Sequence, residues 1–179
     1  MKEINIEKEI ISKRLTDYVF FVGSLNINSN YFIEKIEKGI IEKDALNFAT
    51  NVKGHQTSFD FFVKDINFLD FLLKIIDYLD QLDYKFDAYE LREAWGIKLG
   101  LSHYTKNHTH KGSLLSGTLY LNDHDQELIF PEINESVKPK KGRFIIFSSN
   151  LQHYTKRNLI NKNKYAIPFN FFAKSILSV

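Results

Sequence analysis

The stretch His108-Thr109-His110-Lys111-Gly112-Ser113-Leu114-Leu115-Ser116-Gly117-Thr118-Leu119-Tyr120-Leu121 decides how the chain is read. Its second half has the two-residue period of a strand, with Ser116, Thr118 and Tyr120 alternating onto one face. Its first half sets two imidazoles two positions apart, and on extended backbone such a pair points the same way. On either side, segments 91–101, 128–130, 143–147, 153–156 and 164–172 also read as short strands, separated by polar or glycine-containing turns.

Nearer the amino terminus the pattern changes. Tyr18-Val19-Phe20-Phe21-Val22-Gly23 reads as an early strand, and residues 30–42 place Phe32, Ile33, Ile36, Ile40 and Ile41 at the three- and four-residue steps of an amphipathic helix. Asp65 is suited to cap a longer helix. Its apolar face is expected to hold Ile66, Leu69, Leu72, Leu73, Ile76 and Leu79, with Asp70, Lys74 and Asp77 opposite. Helices first and strands after predict an α+β chain, folded as a single domain over 1–179 with helical support to about residue 82 and a jelly roll over about 83–175. The helices are expected on one sheet, with the mouth between the sheets open to a ligand.

Composition bounds the chemistry. A chain of 179 residues, 44% hydrophobic and with 16 Phe and 9 Tyr, can bury a substantial core. The formal charge of +2, from 24 basic and 22 acidic residues, gives no indication of nucleic acid as a partner. With no cysteine there is no disulfide framework, thiol nucleophile or Cys-ligated zinc, so any metal must be held by His and carboxylate. No apolar run approaches the roughly 18 residues of a membrane span, and the charged opening segment lacks a signal-peptide core, so the expectation is a cytoplasmic protein without a membrane partner.

His108 and His110 need a third ligand from elsewhere. His153 follows the strand Arg143–Phe147 and the turn Ser148-Ser149-Asn150, where an antiparallel return would bring it opposite the pair. Three protein ligands on one face leave coordination positions for substrate, water or oxygen, as in facial iron sites. An isolated His-x-His is more often surface or hydrogen-bonded than metal-bound. His55, His103 and His124 read as ordinary, and Trp95 reads first as core packing and second as site lining. Lys138-Pro139-Lys140-Lys141 reads as exposed loop.

Trp95-Gly96-Ile97, the stretch 108–121, Gly142-Arg143-Phe144-Ile145-Ile146-Phe147, His153 and Lys164-Tyr165-Ala166-Ile167-Pro168-Phe169-Asn170 together resemble the core of the 2-oxoglutarate- and Fe(II)-dependent oxygenases. The likeness covers about the carboxy-terminal half and is nearest to a small bacterial and phage branch with a His-x-His, a Ser-Gly-x-x-Tyr-Leu strand and an Arg-x-Ser-x-x-Phe-Asn end. The resemblance implies a double-stranded β-helix, cupin-like in layout, with Fe(II), 2-oxoglutarate as co-substrate and O2. It places His108, His110 and His153 on the metal and Lys164 on the far carboxylate of 2-oxoglutarate. The implied reaction hydroxylates an unidentified substrate with release of succinate and CO2.

Two departures from the family pattern matter. His110 stands where the superfamily usually has Asp or Glu, so the ligand set carries no negative charge and should accept zinc or copper more readily than a carboxylate site. Asp123, Asp125 and Glu127 in the following turn are the alternative carboxylate donors. Lys164-Tyr165-Ala166 replaces Arg-x-Ser, which keeps the cation but loses the fork and the hydroxyl; Ser116, Thr118 or Tyr120 would make up the missing bond. Taken alone, Asn161-Lys162-Asn163-Lys164 reads as a solvated loop. Two rivals remain open: a three-His cupin-type dioxygenase that does not use 2-oxoglutarate, and a non-catalytic jelly-roll binding module. The substrate and any homo-oligomerisation are also open.

Overall fold

The computed structural model describes residues 18–42, 51–80 and 89–174. In chain order the elements are β1 (Phe20–Ser24), α1 (Ser29–Glu42), β2 (Val52–Lys53), β3 (His55–Gln56), α2 (Ile66–Asp80), β4 (Tyr89–Ala94) and β5 (Ile97–Leu99). They continue with β6 (Tyr104–Thr105), β7 (Leu115–Tyr120), β8 (Leu128–Phe130), β9 (Glu135–Val137), β10 (Arg143–Ser148) and β11 (Lys164–Ala173). The main sheet is antiparallel in the order β1-β10-β7-β11-β5-β3, and β4 pairs with the second half of β11.

Alternation along the central strands separates two cores. Leu115, Leu119, Phe144, Ile146, Ile167, Phe169 and Phe171 face the helices and pack with Phe32 and Ile36 of α1 and Phe68, Phe71, Leu72 and Ile75 of α2. Phe68 meets Phe169 at 5.6 Å and Phe71 meets Phe144 at 5.9 Å between ring centroids. The opposite face presents Tyr120, Ile145, Phe147 and Ala166 to Leu128, Phe130, Val137 and Leu151. That second layer is a thin antiparallel stack: β8 pairs β9, β2 pairs β6, and bridges join Ile129 to Tyr154 and His108 to His153. This is the expected α+β double-stranded β-helix, with both helices on one sheet.

Several boundaries differ from the sequence-based expectation. The strand expected over 91–101 is broken at Trp95-Gly96, where Trp95 N–H donates to Pro168 O at 3.0 Å. Proline has no N–H to return to the same neighbour, so the ladder cannot run through this point. Gly96 turns instead to Thr57, whose Oγ1 accepts its N–H at 2.9 Å. Residues 153–156 form bridges rather than a strand. The polar passage before residue 58 holds two short strands, and 104–105 and 135–137 are strands too short to show a period.

Asp65 caps α2, accepting Phe68 N–H on Oδ1 at 3.0 Å, and its Oδ2 takes Tyr31 Oη–H and the Lys35 ammonium from α1. The buried face of α2 is rotated from the expected one: Phe68, Phe71, Leu72 and Ile75 are inside, whereas Ile66 is 74% and Leu73 60% exposed. The aromatic residues of this helix, not its aliphatic ones alone, fill the gap over the sheet. The side chains of Ile41 and Leu79, the charged opening segment and the expected boundary near residue 83 lie outside the described residues.

Candidate metal centre

The loop before β7 is stitched to the segment after β10. His110 N–H donates to Ser149 O at 2.9 Å, Ser149 N–H to Leu114 O at 3.2 Å, and Ser149 Oγ to Ser113 O. Gly112, at φ +92, makes the left-handed turn this loop needs, which a residue with a Cβ rarely adopts. One step further along, His108 and His153 exchange backbone hydrogen bonds at 3.1 and 3.0 Å. A directly opposed pair puts its side chains on the same face, so the two rings stand with centroids 4.3 Å apart.

His110 completes the group. Its ring lies 4.9 Å from His108 and 5.0 Å from His153, and ring nitrogens of the three residues fall within 4.8 Å of one another. His108 Nδ1 faces Lys106 O at 2.8 Å and His153 Nδ1 faces Leu151 O at 2.9 Å. A backbone carbonyl accepts, so each Nδ1 carries the proton and each Nε2 has its lone pair free for a metal. His110 Nε2 is 3.2 Å from His153 Nε2. The spacing of the three imidazoles fits a metal ion, with the free Nε2 lone pair shown by the hydrogen bonds for His108 and His153.

Burial keeps these rings neutral. It lowers the pKa of His110 to about 2, helped by His153 and His108 alongside, and that of His153 to about 3, helped by His108. Burial also lowers His108. Phe147 and Phe130 wall His153 at centroid distances of 4.8 and 5.7 Å. Protons do not compete with a metal here at physiological pH.

Lys164 is buried in the same inner pocket, a space of about 50 Å³ lined also by His108, His110, His153, Thr118, Tyr120, Thr155 and Trp95. The solvated loop expected from Asn161-Lys162-Asn163-Lys164 is therefore incorrect for its last residue: Lys164 opens β11 and is 2% exposed. Its ammonium donates to Gln126 O at 3.2 Å, and among the described residues no carboxylate pairs with it. Burial lowers its pKa to about 7. Tyr120 Oη is also buried without a partner among the described residues, and burial raises its pKa. A buried ammonium that meets a carbonyl but no described carboxylate, beside a phenol with no described hydrogen-bond partner, is chemically matched to an anion.

The remaining residues singled out in the sequence separate cleanly. Thr118 and Tyr120 line the inner pocket, whereas the Ser116 hydroxyl donates to Asn170 Oδ1 at 2.7 Å and does not. Asn170 in turn donates from Nδ2 to Glu93 Oε2 at 2.6 Å and lies 3.3 Å from His110 Nδ1. Asp123, Asp125 and Glu127 are engaged elsewhere, with Lys141 N–H, Lys138 and Ser136 respectively, and none joins the imidazoles. His124 and His103 accept backbone N–H groups of Gln126 and Gly100, and His55 lies against His103. Trp95 is buried and also lines the site, 6.2 Å from the His110 ring. Sequence reasoning missed Glu93, on a half-exposed strand where any carboxylate looks like surface, and Gln126, which acts through its backbone oxygen.

No family model matches the chain, and no curated protein matches it. Solved structures do. Viral collagen prolyl hydroxylase of Paramecium bursaria Chlorella virus-1, in its 2-oxoglutarate complex, is 18% identical over 89% of this chain and 98% of its own, with a TM-score of 0.64. A Pseudomonas putida prolyl-4-hydroxylase is 14% identical over 87% and 93%, with a TM-score of 0.63. HygX of Streptomyces hygroscopicus, with nickel and 2-oxoglutarate bound, is 12% identical over 87% and 83%, with a TM-score of 0.57. The chain thus has the double-stranded β-helix fold of the 2-oxoglutarate/Fe(II) oxygenase structures.

Proposed function

We propose that this protein is an Fe(II)- and 2-oxoglutarate-dependent dioxygenase that hydroxylates a substrate and releases succinate and CO2. His108, His110 and His153 hold the metal, which when bound supplies the oxygen-activating chemistry. Lys164 pairs with the far carboxylate of 2-oxoglutarate, with Tyr120 and Thr118 giving hydrogen bonds beside it. Neutral imidazoles bind the cation without releasing protons of their own, and the apolar walls of Phe130, Phe147 and Ala166 keep bulk water from the pocket.

One observation supports this reading above the rest: three imidazoles share one pocket with a buried ammonium that has no carboxylate partner among the described residues. A buried lysine without an anion is costly to keep. In a three-His dioxygenase that does not use 2-oxoglutarate, Lys164 would have no counter-ion and no task. The solved structures with this fold include one with 2-oxoglutarate bound and one with nickel and 2-oxoglutarate bound, which supports a divalent metal and 2-oxoglutarate as ligands here. Incubation with Fe(II), 2-oxoglutarate and O2 tests the assignment: succinate should form, even uncoupled from a substrate, and should be lost in His153→Ala. Folded protein that makes no succinate under these conditions contradicts it.

A further inference from the structure

Beside the inner pocket lies a wider cleft of about 430 Å³, bounded by His108 and His110 and by Gln56, Phe59, Trp95 and Phe172. Its size suits a small ligand or a segment of chain. Two residues of its wall are polar, buried and unpaired. Among the described residues, neither Nε2 nor Oε1 of Gln56, 3% exposed, has a partner, and Nε1 of Trp95, 4% exposed, has none.

These two residues are neighbours by construction. Gln56 lies opposite Ile97 in the β3–β5 pairing, and Thr57 N–H donates to Gly96 O at 3.0 Å, which sets Gln56 next to the Trp95-Gly96 break. Native proteins rarely leave even one buried polar group unsatisfied, and here two donors and an acceptor are unsatisfied at one wall. Phe59, edge-on to Trp95 at 5.1 Å, is the exposed member of that wall, at 45%.

Among the described residues, the charges lining the cleft are one lysine, Lys111, and one carboxylate, Glu93. That is no track for a run of phosphates, which needs several cations in sequence. A side-chain amide pairs fully only with a group that shows N–H and C=O on one edge. Extended peptide does so at every second residue, and a primary carboxamide does so by itself.

We infer that this cleft is the substrate site and that it selects a neutral amide edge, the substrate N–H going to Gln56 Oε1 and its C=O to Gln56 Nε2. Trp95 Nε1 donates to a further oxygen, and the rings of Phe59 and Phe172 flank the bound group. The inference rests on the oxygenase reading for what happens next to His108 and His110, but not for the binding itself.

Binding titrations on the full chain, with and without Fe(II) and 2-oxoglutarate under anaerobic conditions, test it. N-acetylleucine N-methylamide is compared with its depsipeptide, in which the leucine N–H is replaced by oxygen, and benzamide with methyl benzoate. At least one amide should bind about tenfold more tightly than its ester, the cost of one unpaired group. Preference for the first pair identifies a peptide source and for the second a small carboxamide. Gln56→Leu should remove the discrimination and Trp95→Phe should weaken both amides. Equal affinities within both pairs, or no binding of any compound at millimolar concentration, would overturn the inference. Discrimination that persists in a protein binding neither Fe(II) nor 2-oxoglutarate would instead overturn the oxygenase reading and leave the amide site standing.

Discussion

His108 and His153 face each other across an antiparallel bridge, exchanging N–H···O bonds of 3.1 and 3.0 Å, with ring centroids 4.3 Å apart. The backbone therefore sets the spacing of two of the three imidazoles before any metal arrives. Pre-setting ligands in this way lowers the ordering cost of binding.

The third imidazole is held by side chains, and so is more easily perturbed. Asn170→Ala removes the amide that joins Ser116, Glu93 and His110. Metal affinity should fall through lost orientation of the ring alone, by about 10-fold at most because the amide Nδ2 donates to Nδ1 and cannot take its proton, while the circular dichroism spectrum is unchanged. Competition with a metal-sensitive dye measures it; an unaltered affinity would show that Asn170 does not position His110.

His110→Asp replaces one of the three clustered imidazoles by a carboxylate. The variant should retain Fe(II), and its preference for copper and zinc over Fe(II) should drop, because a carboxylate favours harder ions than imidazole does. His110→Ala should lose metal altogether. Metal content after dialysis against a mixture of the three ions distinguishes these outcomes.

Lys164 gives a pH signature. Its folded pKa of about 7 lies below the ordinary lysine value of 10.5, so between these limits the unfolded chain binds the extra proton. Stability is then full above pH 10.5, falls as pH drops through the window, and is level below about 7. Chemical denaturation at pH 7 and pH 9 should show the higher stability at pH 9, and Lys164→Met should flatten the difference. 2-Oxoglutarate binding should weaken by up to about tenfold per pH unit above 7, since the ammonium must be charged to pair with the carboxylate. A flat profile in the unaltered protein would mean that Lys164 does not titrate in the pocket.

Gly117 sits under Phe169 in the centre of the sheet, where an added Cβ would stand 2.2 Å from the ring and 2.9 Å from Ile145 O. Gly117→Ala should cost about 1–3 kcal/mol, as overpacking does. At roughly 2–4 °C per kcal/mol for a chain of this size, the loss is visible as a lowered Tm. An unchanged Tm would show that Phe169 has room to move.

Much of this was legible from residue patterns. The period of Leu115–Tyr120 and Arg143–Phe147, the steps of Phe32, Ile33 and Ile36, and the capping position of Asp65 are local, and local signals survive folding. What escaped the sequence depends on partners distant in the chain. Pro168 breaks the strand at Trp95 from across the sheet, and the burial of Phe68 and Phe71 in place of Ile66 and Leu73 follows from where Phe144 and Phe169 stand. Glu93 and Gln126 gain their roles only from the strands and loops beside them.

Anaerobic titration with Fe(II) and then 2-oxoglutarate tests the central claim most directly. One Fe(II) per chain, followed by a visible absorption band on adding 2-oxoglutarate that is missing in His153→Ala and reached only at much higher concentration in Lys164→Met, is the expected result. A folded protein that binds neither, or a band unaffected by both substitutions, would contradict it.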